Sequence, residues 1–120
     1  MARILIAEDD TSMRHFLSMA LTRAGHEVES CADGLAALVA LGTGNFDLLL
    51  ADIIMPGMDG IELSHKAAAQ HPALKVMFIT GFAAVARGQR PAGEPGPHVL
   101  SKPFHLKELV DQVESLLKAA

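Results

Sequence analysis

Residues 48–60 read Leu48-Leu49-Leu50-Ala51-Asp52-Ile53-Ile54-Met55-Pro56-Gly57-Met58-Asp59-Gly60. The first four are apolar without alternation, the pattern of a strand buried on both faces of a parallel sheet. The run stops at an acid, Asp52, and Pro56, Gly57 and Gly60 then make 53–60 a loop. The N-terminal stretch repeats this design: Arg3-Ile4-Leu5-Ile6-Ala7 is a continuous aliphatic run that ends in Glu8, Asp9 and Asp10. Two further runs read the same way. Lys75-Val76-Met77-Phe78-Ile79 ends at Thr80-Gly81, and the brief Val99-Leu100 ends at Ser101-Lys102-Pro103. His26 to Cys31 alternates around Val28, which predicts a shorter, more exposed strand.

Helical periodicity fills the intervals. Met13, Phe16, Leu17, Ala20, Leu21 and Ala24 recur at three- and four-residue spacing, with Thr11 or Ser12 as the expected cap and Gly25 as the stop. A second helix runs through Leu35, Leu38, Val39 and Leu41 and closes at Gly42 and Gly44. A third covers Ile61 to Gln70 and ends at His71-Pro72, and a last one from about His105 to Lys118 carries Leu106, Leu109, Val110, Val113, Leu116 and Leu117 on one stripe. Residues 82–90 predict a short, weak helix at best, because Gly88, Pro91, Gly93, Pro95, Gly96 and Pro97 make 88–97 a poor helix former. Strands alternating with helices imply an α/β fold, a doubly wound parallel sheet with helices on both faces.

The composition sets the outer limits. With 120 residues, 50% hydrophobic and 20% charged, the chain suits one domain with a real core, residues 1–120, and no output domain. Ten basic residues against 14 acidic ones give a net charge of −4, scattered, which argues against nucleic acid as a partner. A single cysteine, Cys31, excludes an internal disulfide and a thiolate metal cluster. Apolar runs fall far short of the ~20 residues that span a bilayer, so a cytoplasmic protein without a membrane partner is expected. The six histidines show no metal spacing and no acid partner in sequence, and read as structural or surface residues. Asp10 reads as a helix cap, Asp33 and Asp59 as turn residues, Met13 and Met19 as core or helix-face residues.

In such sheets ligands bind beyond the carboxyl ends of the strands, where the winding reverses. Glu8, Asp9, Asp52, Thr80 and Lys102 all follow strands at that end, so separate segments bring carboxylates, a hydroxyl and an ammonium to one edge. Clustered carboxylates repel one another and ask for a cation, and an all-oxygen donor set favours Mg²⁺. Asp9 and Asp52, the backbone carbonyl of Ile54 and, through a water, Glu8 form the expected metal-holding set. A carboxylate beside such an ion can attack phosphorus and become an acyl phosphate. Asp52, alone at the end of a central strand, is the candidate phosphoacceptor; Thr80 and Lys102 would meet the phosphoryl oxygens. A hydrolase with an aspartyl nucleophile would want an acid two residues further on, where Ile54 stands.

Ile4-Leu5-Ile6-Ala7-Glu8-Asp9-Asp10, Asp52 with Met55-Pro56-Gly57-Met58-Asp59-Gly60, Thr80-Gly81 and Lys102-Pro103-Phe104 occur in the order of the receiver domain of bacterial two-component response regulators, and the resemblance covers the whole chain. It implies a flavodoxin-like fold with strand order 2-1-3-4-5. It also implies phosphoryl transfer to Asp52 from a histidine kinase or histidine phosphotransfer protein, with Thr80 as switch hydroxyl and a cis proline at Pro103. Such a domain catalyses its own phosphorylation and dephosphorylation and is not an enzyme acting on other molecules. Phe78-Ile79-Thr80-Gly81-Phe82-Ala83-Ala84-Val85-Ala86 and Leu100-Ser101-Lys102-Pro103-Phe104-His105-Leu106 resemble, more narrowly, single-domain receivers of cell-cycle circuits. Those deliver substrates to the ClpXP protease, which implies a ClpX-type unfoldase or its adaptors and substrates as partners; the alternative is a phosphate sink or a non-proteolytic scaffold. The terminal Leu116-Leu117-Lys118-Ala119-Ala120 resembles a degradation tag. Two positions depart from the family pattern: Val99 replaces the usual aromatic three residues before Lys102, and the Gly- and Pro-rich segment lacks the regular fourth helix.

Overall fold

The computed structural model describes residues 2–80 and 98–118. Strands β1 (Arg3–Ala7), β2 (Glu27–Cys31), β3 (Leu48–Asp52), β4 (Lys75–Thr80) and β5 (His98–Ser101) alternate with helices α1 (Thr11–Arg23), α2 (Gly34–Thr43) and α3 (Gly60–Gln70). Helix α4 (Leu106–Lys118) follows β5. All four pairings are parallel and the order is β2-β1-β3-β4-β5, the doubly wound, flavodoxin-like arrangement expected from the sequence. The short helix expected over 82–90, the loop over 88–97, Phe82 and the two final alanines lie outside the described residues.

Side chains alternate across the central strands, and this alternation divides the core into two layers. Ile4, Ile6, Leu48, Leu50, Met77 and Ile79 pack with Leu17 and Leu21 of α1 and Leu109 and Val113 of α4. Leu5, Ala7, Leu49, Ala51 and Phe78 face the other way, onto Ala37 and Leu41 of α2 and Leu63 and Ala67 of α3. Strand β3 is buried along its whole length, while the edge strand β2 is mostly exposed. The winding reverses between β1 and β3, so the crevice at the carboxyl ends of those two strands is where the topology opens a site.

Three helices begin with one device. Asp10, Asp33 and Asp59 are the N-caps of α1, α2 and α3, and their carboxylates accept the Met13, Ala36 and Glu62 amides at 2.7, 2.8 and 2.8 Å. For Asp33 and Asp59 this accords with a turn role rather than a ligand role. For α1, of the two expectations, Asp10 is the cap and Thr11 and Ser12 lie inside the first turn; the extended backbone of Asp10 (φ −75, ψ 118) lets its side chain reach the third amide of the helix. Gly25 ends that helix at φ +101, a left-handed conformation that side chains disfavour.

The buried face of α2 runs through Gly34, Ala37 and Leu41, with Leu38 partly buried beside them. Leu35 and Val39 are each 65% exposed, and the helix packs on the sheet through Ala37 and Leu41. At its start the helix lies against the loop that follows β3: a Cβ on Gly34 would stand 2.8 Å from the Met58 carbonyl oxygen. Leu41→Ala is accordingly expected to cost about 2–5 kcal/mol in denaturant unfolding, and Leu35→Gln to stay within about 0.5 kcal/mol. Equal losses would show that α2 is misplaced. The last helix starts at Leu106, one residue later than expected, and Leu106 is 45% exposed while Leu109, Val113 and Leu116 are buried. Its C-terminal carbonyls are held by Lys75, whose Nζ donates to Leu116 O at 2.9 Å and Leu117 O at 3.3 Å.

One histidine has the acid partner that sequence proximity did not offer. Buried His26 accepts the Ala2 amide at Nδ1 (3.1 Å), and its Nε2 lies 2.8 Å from the Glu114 carboxylate, 88 residues away in the chain. A neutral ring with its proton on Nε2 satisfies both contacts and ties the entrance of β1 to α4. The hollow of about 560 Å³ that His26 and Glu114 help to line lies at the amino ends of the strands, opposite the carboxylate cluster.

Candidate functional site

Glu8 follows β1 and its amide continues the ladder to the Cys31 carbonyl of β2 at 3.0 Å, which fixes the residue at the crevice. Asp52 is the last residue of β3, and Thr80 the last of β4. Lys102 directly follows β5, and its amide donates to Thr80 O at 2.9 Å, so the lysine stem starts beside the threonine. The Lys102-Pro103 peptide bond is cis. Glu8 and Thr80 are fully buried and Asp52 is 6% exposed, whereas Asp9 is exposed. The fold therefore brings Glu8, Asp9, Asp52 and Lys102 to one crevice, with Thr80 at the neighbouring strand end.

Lys102 is the central cation of this group. Its Nζ donates to Asp52 Oδ2 at 2.9 Å and to Glu8 Oε1 at 3.2 Å. The other Asp52 oxygen, Oδ1, accepts the Ile54 amide at 3.1 Å, so the turn after β3 holds the carboxylate and sets the Ile54 peptide beside it. Gly60 is required below: a Cβ there would collide with the Asp52 carbonyl oxygen. Glu8 Oε2 accepts the Asp10 amide at 3.1 Å. One carboxylate oxygen each from Glu8, Asp9 and Asp52 lies within 4.8 Å of the others.

Burial pushes the Glu8 carboxyl from 4.5 up to about 7; the Asp10 amide and Lys102 pull it down, and the adjacent Asp52 charge pushes it further up. Burial alone would lower Lys102, but its bonds to Asp52 and Glu8 outweigh this and hold the ammonium above its usual range. Three carboxylates and one primary ammonium leave an excess of negative charge. A hard divalent cation fits that excess and the all-oxygen donor set. Burial, with Glu29 and Asp33 nearby, raises the Cys31 thiol above its usual range, which disfavours the nucleophilic thiolate.

The sequence reading missed Arg14, whose Nη1 donates to Glu8 O at 2.7 Å and approaches Asp9 O at 3.5 Å. The available signal was its place in the first turns of the helix that follows three acids.

With a parallel sheet in the order β2-β1-β3-β4-β5 and acids from β1 and β3 facing a lysine from β5, the chain belongs to the response regulator receiver domain family, which it matches over residues 4–114. It is 52% identical over the full length of both chains to the response regulator receiver protein CpdR of Brucella abortus. Among solved structures, the receiver domain of the hybrid histidine kinase CckA is 36% identical with a TM-score of 0.82, over 97% of this chain and 99% of that one. The response regulator TrrA of Thermotoga maritima, solved in complex with Mg²⁺-BeF, superposes with a TM-score of 0.85 at 28% identity, over 97% of this chain and 99% of that one. Two-component signalling is thus the class of function.

Proposed function

We propose that Asp52 is the phosphoacceptor of this receiver and that transfer depends on Mg²⁺. The observation that carries the reading is the Asp52 carboxylate itself, held by Lys102 at 2.9 Å and by the Ile54 amide at 3.1 Å within reach of Glu8 and Asp9. Asp9, Asp52, the Ile54 carbonyl and, through water, Glu8 would hold the cation, which when bound neutralises charge on the phosphoryl oxygens. An Asp52 oxygen attacks phosphorus of a phosphohistidine, the P–N bond breaks, and the imidazole leaves as the acyl phosphate forms. Lys102 then follows the new negative charge, and Thr80 offers its hydroxyl from the end of β4. Water later cleaves the acyl phosphate and returns the carboxylate. The domain so described catalyses its own modification and acts on no further substrate.

The donor is a histidine kinase or a histidine phosphotransfer protein, a reading supported by the likeness to the CckA receiver. Such a donor must bring its imidazole to the mouth of the crevice. Exposed Ile54, two residues past Asp52, gives that mouth an apolar group, and partly exposed Phe16 packs with its ring centroid 6.3 Å from that of Phe104, two residues past Lys102. Ile54 is 53% exposed and cannot orient a water by hydrogen bonding. Ile54→Asn is therefore expected to shorten the lifetime of the acyl phosphate by up to about tenfold, roughly 1.4 kcal/mol in barrier. An unchanged decay of phosphoprotein would reject that role; Phe82, which stands two residues after Thr80 as Ile54 does after Asp52, lies outside the described residues.

For the output, our reading is regulated proteolysis in the cell cycle. It rests on the likeness to CpdR and on the two segments around Thr80 and Lys102, and makes a ClpX-type unfoldase or its adaptors and substrates the partner of the unphosphorylated form. The test is capture from cell extract with phosphorylated wild type and with Asp52→Ala. Enrichment of the protease component on Asp52→Ala supports the reading. Equal recovery in both states identifies a phosphate sink or a non-proteolytic scaffold instead.

A further inference from the structure

Asp9 is the exposed member of the cation-holding set, and its carboxylate makes no hydrogen bond among the described residues. Its aim therefore depends on its backbone. The Glu8 carbonyl and the Asp9 amide share one rigid peptide plane, so fixing the carbonyl fixes the direction in which Asp9 leaves the strand. Arg14 does the fixing. Its own amide is bound to Asp10 O at 2.9 Å in the first turn of α1, and its side chain folds back to donate from Nη1 to Glu8 O at 2.7 Å. The 3.5 Å approach to Asp9 O lies at the limit of a hydrogen bond and contributes little beside it.

We propose that Arg14 is a positioning residue for the cation site, orienting the Glu8–Asp9 peptide so that the Asp9 carboxylate stands beside Asp52. The inference rests on the cation-site reading given above. It makes a prediction opposite in sign to simple electrostatics. Arg14 carries a positive charge near a cation site, so removing the charge alone would strengthen cation binding. Loss of positioning weakens it instead, and groups that orient metal ligands typically contribute about 10–100-fold in affinity.

The experiment uses the full chain and Mn²⁺ as the probe, with free Mn²⁺ counted by electron paramagnetic resonance and Mg²⁺ added as competitor. Arg14→Met is expected to weaken Mn²⁺ binding by about tenfold or more. Arg14→Lys, which keeps a donor for Glu8 O, is expected to recover most of the loss. Phosphorylation of Arg14→Met from a small phosphodonor should return towards the wild-type rate when Mg²⁺ is raised to saturation, which separates a binding defect from a chemical one. Should Arg14→Met melt below the assay temperature, Arg14→Gln is measured in its place. Equal or tighter Mn²⁺ binding by the neutral variant overturns the proposal, as does a lower melting temperature with unchanged affinity, which marks a purely structural role. Wild type that binds no Mn²⁺, or binds it equally well after Asp9→Asn, overturns the cation-site reading itself and the role of Arg14 with it.

Discussion

Asp52→Ala takes up no phosphoryl group from a small phosphodonor in Mg²⁺, while wild type gains one group per chain by intact mass. Complete loss is expected rather than a reduced rate, because no other described carboxylate combines the same features. Asp52 is at once nearly buried, held at both oxygens and paired with an ammonium at 2.9 Å. Glu8, the nearest alternative, has both oxygens occupied by Lys102 and the Asp10 amide and is fully buried. Asp9 is exposed and lacks the ammonium. Wild type in excess chelator should fall almost as far as the variant, since an incoming phosphoryl group otherwise meets clustered negative charge. Phosphorylation that survives in Asp52→Ala would place the acceptor elsewhere, and rapid release of free phosphate by wild type would make the chain a hydrolase.

The second large effect is on stability and follows from Glu8. Its carboxyl, held up mainly by burial, titrates at about 7 in the folded chain and near 4.5 once unfolded. Between these two values the folded chain binds a proton that the unfolded chain has lost, so stability falls as pH rises through that window. Above pH 7 the carboxylate is ionised in both states and the whole cost is present, roughly 1–3 kcal/mol. Glu8→Gln removes the charge and keeps the shape, while Lys102 retains Asp52. In the absence of divalent cations the variant should melt several degrees above wild type at pH 8 and together with it near pH 4.5. Added Mg²⁺ should narrow the difference at pH 8, because the cation stabilises only a chain that can hold it. Superimposed melting curves at pH 8, or a variant less stable than wild type there, would mean that Lys102 already compensates the buried charge.

The alternation of strands and helices, with helices on both faces, and the crevice at the strand ends were readable from the residues because each depends on local pattern; the strand order came from the resemblance to receiver domains. Runs such as 48–51, without alternation, have one common use, a strand covered on both faces, and parallel strands need helical crossovers. Once the strands are known, the acids, the threonine and the lysine at their ends must share an edge. Residue type and position relative to a strand end thus determined which residues could meet. The tertiary structure decided how they meet. That Lys102 spans Glu8 and Asp52, that burial raises the Glu8 carboxyl, and that Arg14 turns back onto the Glu8 carbonyl depend on distances between segments far apart in the chain. The same holds for His26 and Glu114, and for α2, where the apolar Leu35 and Val39 face outward while Ala37 and Leu41 are buried. Periodicity reports which positions share a helix face; how closely that helix approaches its sheet is set by packing across the whole chain.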